Sequence, residues 1–261
     1  MTEGIAELPG GARLWYWDTG GNGDVIVLVH AASGSGAFWE YQQPVLARAG
    51  YRVIGYSTRG HYRSDPSPQG NPGTGSGDLH ELVEFLRLDR FHLVGTAAGA
   101  GLCLDYAVSH DDRLLSLIYA NSLGGIQDEA YGKALKALMP SNFHQLPVEF
   151  RELGPSYRAA YRPGVERWMQ LQAQSSFAGQ PYANKLTWAG LQALRVPMLL
   201  LTGDADPYMP PSTLRDFFVR HLPRAEAAIL SESGHSGFWE QPEAFNAELL
   251  RFLEKHRQRR R

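Results

Sequence analysis

The sequence predicts an α/β protein with a mostly parallel central sheet flanked by helices. Several short apolar runs, rich in β-branched or aromatic residues, are bounded by turn residues. The clearest, Val25-Ile26-Val27-Leu28-Val29, does not alternate between apolar and polar. A strand apolar on both sides belongs in a sheet covered on both faces, which usually means parallel. Amphipathic stretches of helical period separate these runs, and strand-helix-strand repeated this often implies right-handed crossovers.

In chain order, strands are expected at residues 14–17, 25–29, 51–56, 91–94, 115–119, 198–201 and 227–230. A helix is expected over 77–88, where Leu79, Leu82, Val83, Phe85 and Leu86 share one face. Residues 102–108, 211–221 and 242–255 follow the same pattern. The Pro-, Gly- and Ser-rich run 65–77 reads as a long surface loop. Residues 124–188 break the alternation: short helical patterns are separated by Pro140, Pro147, Pro155 and Pro163, with no convincing strand. The stretch is expected to be a helical lid over the C-terminal edge of the sheet, where open α/β sheets bind ligands. The core is then 1–123 with 189–261. The insertion carries Tyr131, Met139, Phe143, Phe150, Tyr157, Tyr161, Trp168, Met169, Phe177, Tyr182 and Trp188. Most should pack the insertion itself, and Tyr157, Tyr161 and Trp168 are the candidates to face a substrate.

Composition narrows the function. The 261 residues carry 25 basic and 27 acidic side chains, a formal charge of −2, which argues against a general nucleic-acid binder. One cysteine, Cys103, excludes an internal disulfide framework and a cysteine-based zinc site. The histidines are scattered without metal-ligand spacing, and residues 30–36 lack the acidic partner and the lysine of nucleotide-binding loops, so no cofactor or metal is implied. No run of about 18 apolar residues suggests a membrane span, and residues 1–11 carry no secretory pattern, so cytoplasmic residence is the expectation. The basic tail 255–261 reads as a solvated helix end.

The strongest chemical signal follows the strand at 91–94: Gly95-Thr96-Ala97-Ala98-Gly99-Ala100-Gly101, opening a helix. Small residues around one position are what a sharp strand-to-helix turn requires, and the turn lifts the central residue to a helix N-terminus rich in free N–H groups. This turn resembles the nucleophile elbow G-x-S-x-G of the α/β-hydrolase superfamily, with Ala97 at the serine position. The resemblance extends along the chain. Residues 27–32 are similar to the family's strand ending in His-Gly, with Ala31 in place of the glycine. Residues 56–65 resemble its R-G-x-G-x-S-D loop, with Tyr62 in place of the second glycine. Residues 198–210 (MLLLTGDADPYMP) resemble the turn that presents a triad acid, and Gly234-His235 the turn that presents a histidine.

The resemblance implies an α/β-hydrolase fold and assigns roles by position. Asp206, rather than Asp204, would be the acid, and His235 the general base held in its tautomer by Asp206. The backbone N–H groups of Ala32 and Ala98 would form the oxyanion hole, with Ser33 near the pocket. An aromatic, largely uncharged lining implies a small or medium apolar carbonyl substrate, handled by a monomer or homodimer. Ala97 itself has no nucleophile. Either it replaces a serine in an otherwise complete hydrolase, or alanine belongs there. In the second case the protein is a lyase, isomerase or cofactor-free oxygenase using the His235–Asp206 pair, or a ligand-binding pseudoenzyme.

Overall fold

The computed structural model describes residues 1–68, 70–176 and 179–258. Among the described residues, eight strands form one sheet in the order β1-β2-β4-β3-β5-β6-β7-β8. These are β1 (Thr2–Glu7), β2 (Arg13–Asp18), β3 (Val25–Val29), β4 (Arg52–Tyr56), β5 (Phe91–Thr96), β6 (Leu114–Ala120), β7 (Met198–Gly203) and β8 (Glu226–Leu230). All neighbouring pairs from β4 to β8 are parallel, whereas β2 runs antiparallel to both β1 and β4. This is the α/β-hydrolase arrangement that the motifs implied.

Burial explains which strands the sequence announces. Every residue of β5, β6 and β7 is buried, so these central strands read as continuous apolar runs. The edge strand β1 reads TEGIAE and buries little beyond Ala6, so its sequence carries almost no apolar signal. Its register against β2 defines it instead, Thr2 opposite Asp18 through Glu7 opposite Arg13. Acidic side chains on such an edge also discourage pairing with a second chain.

Helices cover both faces. They are α1 (Gln43–Arg48), α2 (Gly75–Phe85), α3 (Ala98–His110), α4 (Glu129–Leu138), α5 (Val148–Glu152), α6 (Pro155–Ala160), α7 (Arg162–Gln172), α8 (Trp188–Ala193), α9 (Pro211–Thr213, continuing as a π-type turn Leu214–Val219), α10 (Gly237–Glu240) and α11 (Pro242–Lys255). Two apolar clusters result. One packs Leu79, Leu82, Leu104 and Phe218 on one side of the sheet, and the other packs Phe38, Trp39, Leu249 and Phe252 on the opposite side. The loop at 56–65 is pinned by a buried pair in which Arg59 Nε and Nη2 each donate to Asp78 at 2.6 Å.

Helices α4 to α7 all lie between β6 and β7, and among the described residues of 124–188 no strand is present beyond a single bridge, His61 to Ser175. Several large side chains of this segment pack, whereas Phe150, Tyr161, Met169 and Tyr182 are exposed. Tyr131 meets Trp188 and Phe218, Phe143 stands edge-on to Tyr208, and Trp168 stands edge-on to Phe38. Phe177 lies outside the described residues, as do Arg259 to Arg261 of the basic tail. The described part of that tail is engaged: Lys255 pairs with Glu226, and Arg257 Nε donates to the Tyr51 hydroxyl at 2.8 Å.

Candidate active site

The residues singled out by position converge at the C-terminal ends of the parallel strands. Ala32 follows β3, Ala97 follows β5, Asp206 follows β7 and His235 follows β8. Ala97 has φ 50° and ψ −122°, a conformation that costs a non-glycine residue about 1–3 kcal/mol. The surrounding small residues are a steric requirement. A Cβ on Gly99 would lie 2.4 Å from the His30 carbonyl oxygen and 2.5 Å from that of Val29. Ala98 is the first residue of α3, so its backbone N–H has no intrahelical acceptor.

His235 Nδ1 lies 3.0 Å from both carboxylate oxygens of Asp206. The Asp206 carboxylate also accepts from the backbone N–H groups of Tyr208 (2.8 Å) and Met209 (3.1 Å) and from Asn121 Nδ2 (3.0 Å). Burial opposes ionisation of this carboxyl, but the charge and hydrogen bond of His235, then Asn121 and Met209, hold it below its ordinary value. Burial likewise opposes the charged imidazole, and Asp206 overcomes it, with Glu152 and Glu240 adding, so His235 titrates above its ordinary value. Asp204 is engaged elsewhere, accepting the backbone N–H groups of Glu232 (3.0 Å) and Ser233 (3.1 Å) as a turn residue does.

A cavity of about 290 Å³ brings these groups together: Ala31, Ala32, Ser33, Ala97, Ala98, Ser122, Leu123, Gly124, Gly125, Arg151, Glu152, Tyr182, Tyr208 and His235 line it. Where an aromatic, largely uncharged lining was expected, Tyr182 and Tyr208 supply the aromatic part, and Arg151 and Glu152 put charge in the wall. Ser33 Oγ donates to Glu152 Oε2 at 3.0 Å, and the Tyr208 ring packs 4.3 Å from that of His235. Tyr157, Tyr161 and Trp168, expected to face a substrate, do not line this cavity. Trp168 is buried against Phe38, Tyr157 packs with the cluster around Trp239, and Tyr161 is half exposed. A short helix presents one stripe inward, and at α6 and α7 that stripe meets the protein core instead of the cavity.

Neighbouring groups support the loop geometry. His30 is buried, its Nδ1 donating to the Ala31 carbonyl (2.7 Å) and its Nε2 accepting from Thr58 N–H (3.0 Å), and burial lowers its pKa to about 3. Ala31 needs no left-handed backbone, so alanine is accommodated where the family pattern has glycine. Tyr62 does adopt φ 44°, which explains the pattern's second glycine. Cys103 is buried in α3 and its thiol is pushed up by burial, so it offers no nucleophile. Asn121, Glu152 and Tyr208 went unrecognised from sequence. Tyr208 had a signal in its place two residues after Asp206, but a single Asn or Glu has none. A larger cavity of about 560 Å³ lies at the opposite ends of the strands, lined by residues including Met198, Arg195 and Arg224.

Among the described residues no group of His, Cys, Asp and Glu could hold a metal ion, and no helix is long and apolar enough to cross a membrane. A family model described as the alpha/beta hydrolase family matches residues 26–248. A non-heme chloroperoxidase of Kitasatospora aureofaciens is 27% identical over 94% of this chain and 97% of its own. A thermophilic esterase from Thermogutta terrifontis superposes with a TM-score of 0.81 at 22% identity, covering 99% of this chain and 100% of its own. The enol-lactonase from Burkholderia xenovorans LB400 gives 0.79 at 23% identity, covering 96% and 100%.

Proposed function

The chain belongs to the alpha/beta hydrolase family, and from that premise we propose that it acts on a small or medium carbonyl compound: an ester, lactone, thioester or activated C–C bond. The carbonyl oxygen sits on the N–H groups of Ala32 and Ala98, and the His235–Asp206 pair moves the proton. The segment 124–188 is the lid over this cavity. Similarity to an esterase and an enol-lactonase supports the carbonyl class through the shared fold. The charged wall at Arg151 and Glu152 favours a substrate with a polar group beside the carbonyl over a wholly apolar one.

The observation that carries this reading is the strained turn at Ala97, held at φ 50° next to an intact His–Asp pair. That turn serves two purposes. It would present a residue-97 side chain to the carbonyl, and it aims the Ala98 N–H at the oxygen. With serine at 97, Oγ attacks the carbonyl carbon while His235 takes its proton and later returns it to the leaving group; water then hydrolyses the acyl-enzyme. With alanine there is no attacking atom, so the chain is inactive or nearly so by this route. Removing such a serine costs about 10⁶-fold in turnover.

A second reading is favoured by the elevated His235 titration beside an elbow position, Ala97, that carries no nucleophile. The pair then serves a lyase, isomerase or cofactor-free oxygenase as acid and base, with the N–H groups holding an enolate. Turnover of small esters and lactones by Ala97→Ser, beside the unchanged chain, decides. A gain of several orders of magnitude, lost again on adding His235→Ala, is expected. A folded Ala97→Ser protein with no gain, together with an activity of the unchanged chain that His235→Ala abolishes, would establish the second reading. Ligand binding untouched by His235→Ala would leave a pseudoenzyme.

A further inference from the structure

The turn that carries His235 hydrogen-bonds to a carboxylate that the proposed chemistry does not use. Glu240 is the last residue of α10 and is buried. Its two oxygens accept the backbone N–H of Gly234 (3.1 and 3.0 Å), that of Ser236 (3.1 Å) and that of Gly154 (2.6 Å). Gly234 and Ser236 flank His235 on either side. Gly154 is the N-cap residue just before α6, in the segment between β6 and β7.

The two segments touch backbone to backbone. A Cβ on Gly154 would lie 2.8 Å from Gly234 N, and one on Gly234 would lie 2.4 Å from Gly154 N. The Ser236 N–H also donates to the Glu152 carbonyl at 2.9 Å, and the Glu152 side chain lines the cavity. Among the described residues no lysine or arginine pairs with Glu240. A buried carboxylate without a cation persists only where hydrogen bonds replace its hydration, and here main-chain donors do so.

We propose that Glu240 is a positioning residue for His235, fastening the histidine turn to the segment at Gly154 so that the place of the base and the closure of the cavity wall are set together. This rests on the reading of His235 as the proton-transfer group. Among the described residues, the charged or titratable groups that act on Glu240 include Asp206, His235 and Tyr157. Burial raises the Glu240 carboxyl to about 7, against its backbone hydrogen bonds and with the charge of Asp206 adding to the rise. A proton on Glu240 relieves the cost of its burial, so the closed clasp, which binds that proton before a solvated carboxyl would, holds as pH falls through neutrality.

The test uses the full chain with Glu240→Gln and Glu240→Asp. NMR titration of the His235 ring is the first readout, since it needs no substrate. Glu240→Gln removes a charge that raises His235, so the ring should titrate lower, and Glu240→Asp should restore it in part. In the Ala97→Ser background, Glu240→Gln should lower kcat by about 10- to 100-fold, the scale of an ångström-level misplacement, with KM little changed. A folded Glu240→Gln protein with unaltered His235 titration and kcat would overturn the proposal, because a purely structural carboxylate would shift stability alone.

If Glu240→Gln fails to fold, amide exchange in the unchanged chain decides. The protection of Gly154, Gly234 and Ser236 should rise together from pH 8 to 6 while that of α11 holds. Independent behaviour of the three would also overturn it. Should Ala97→Ser show no ester turnover, the functional reading fails while the titration and exchange results still judge Glu240.

Discussion

Replacing Ala97 by glycine should stabilise the protein or leave it neutral, against the usual direction of such a change. An alanine-to-glycine substitution ordinarily costs about 0.4–1 kcal/mol through the freer unfolded chain. The loss of a buried methyl adds about 0.8 kcal/mol, and Ala97 is only 9% exposed. At φ 50° and ψ −122° the alanine also carries about 1–3 kcal/mol of backbone strain that glycine does not feel. The opposing effects leave a net gain of about 0.5 kcal/mol, within a range from slight loss to clear gain. Ala107, fully buried in the body of the same helix, is the control. There glycine forfeits helix propensity as well, so Ala107→Gly should cost about 2 kcal/mol. Urea unfolding of both variants with matched m-values measures the contrast, and thermal midpoints should separate by several degrees. If Ala97→Gly loses as much as Ala107→Gly, the turn is not strained and its reading as an elbow is wrong.

Two further outcomes follow from the same geometry and electrostatics. Gly99→Ala would push a Cβ to 2.4 Å from the His30 carbonyl oxygen, a backbone atom that cannot step aside, and should cost about 1–3 kcal/mol or more in chemical denaturation; a loss under about 0.5 kcal/mol would contradict the packing at this turn. Stability should also fall as pH drops below about 6.5, because burial holds His30 near 3 and His92 near 4 in the folded chain while the unfolded chain takes up both protons. Each ring contributes a slope of about 1.4 kcal/mol per pH unit. Glu240 opposes them, since its raised folded value of about 7 means the native state binds a proton first and gains stability as pH falls towards 4.5. Urea midpoints should therefore decline gently from pH 6.5 and more steeply below 4.5, and midpoints that instead rise from pH 6.5 to 4.5 would show that neither ring is held neutral.

Much of the scaffold was legible because burial writes itself into composition. The central strands β3, β5, β6 and β7 lie within two residues of their expected bounds, since a strand covered on both faces must be apolar throughout. The edge strand β1 was invisible, because a strand that buries one alanine leaves no pattern and is fixed by its partner's register. The helix expected at 211–221 is present but passes through a π-type turn, a change in winding that hydrophobic spacing does not encode.

At the site, the sequence by itself determined the order of the elements and the residue types at their ends: a small-residue turn around Ala97, then Asp206, then His235. Those features are local, and local sterics and turn chemistry dictate them. The choice of Asp206 over Asp204 came from the motif, while the 3.0 Å approach to His235 comes from the sheet that sets β7 beside β8. Tertiary structure alone decided which side chains from residues 124–188 reach the cavity. Tyr157, Tyr161 and Trp168 turned away and Glu152 turned in, because short helices are oriented by what they pack against. It also decided that Glu240 gathers N–H groups from Gly154, Gly234 and Ser236. Such contacts join segments far apart in the chain, and no periodicity in a single sequence records them.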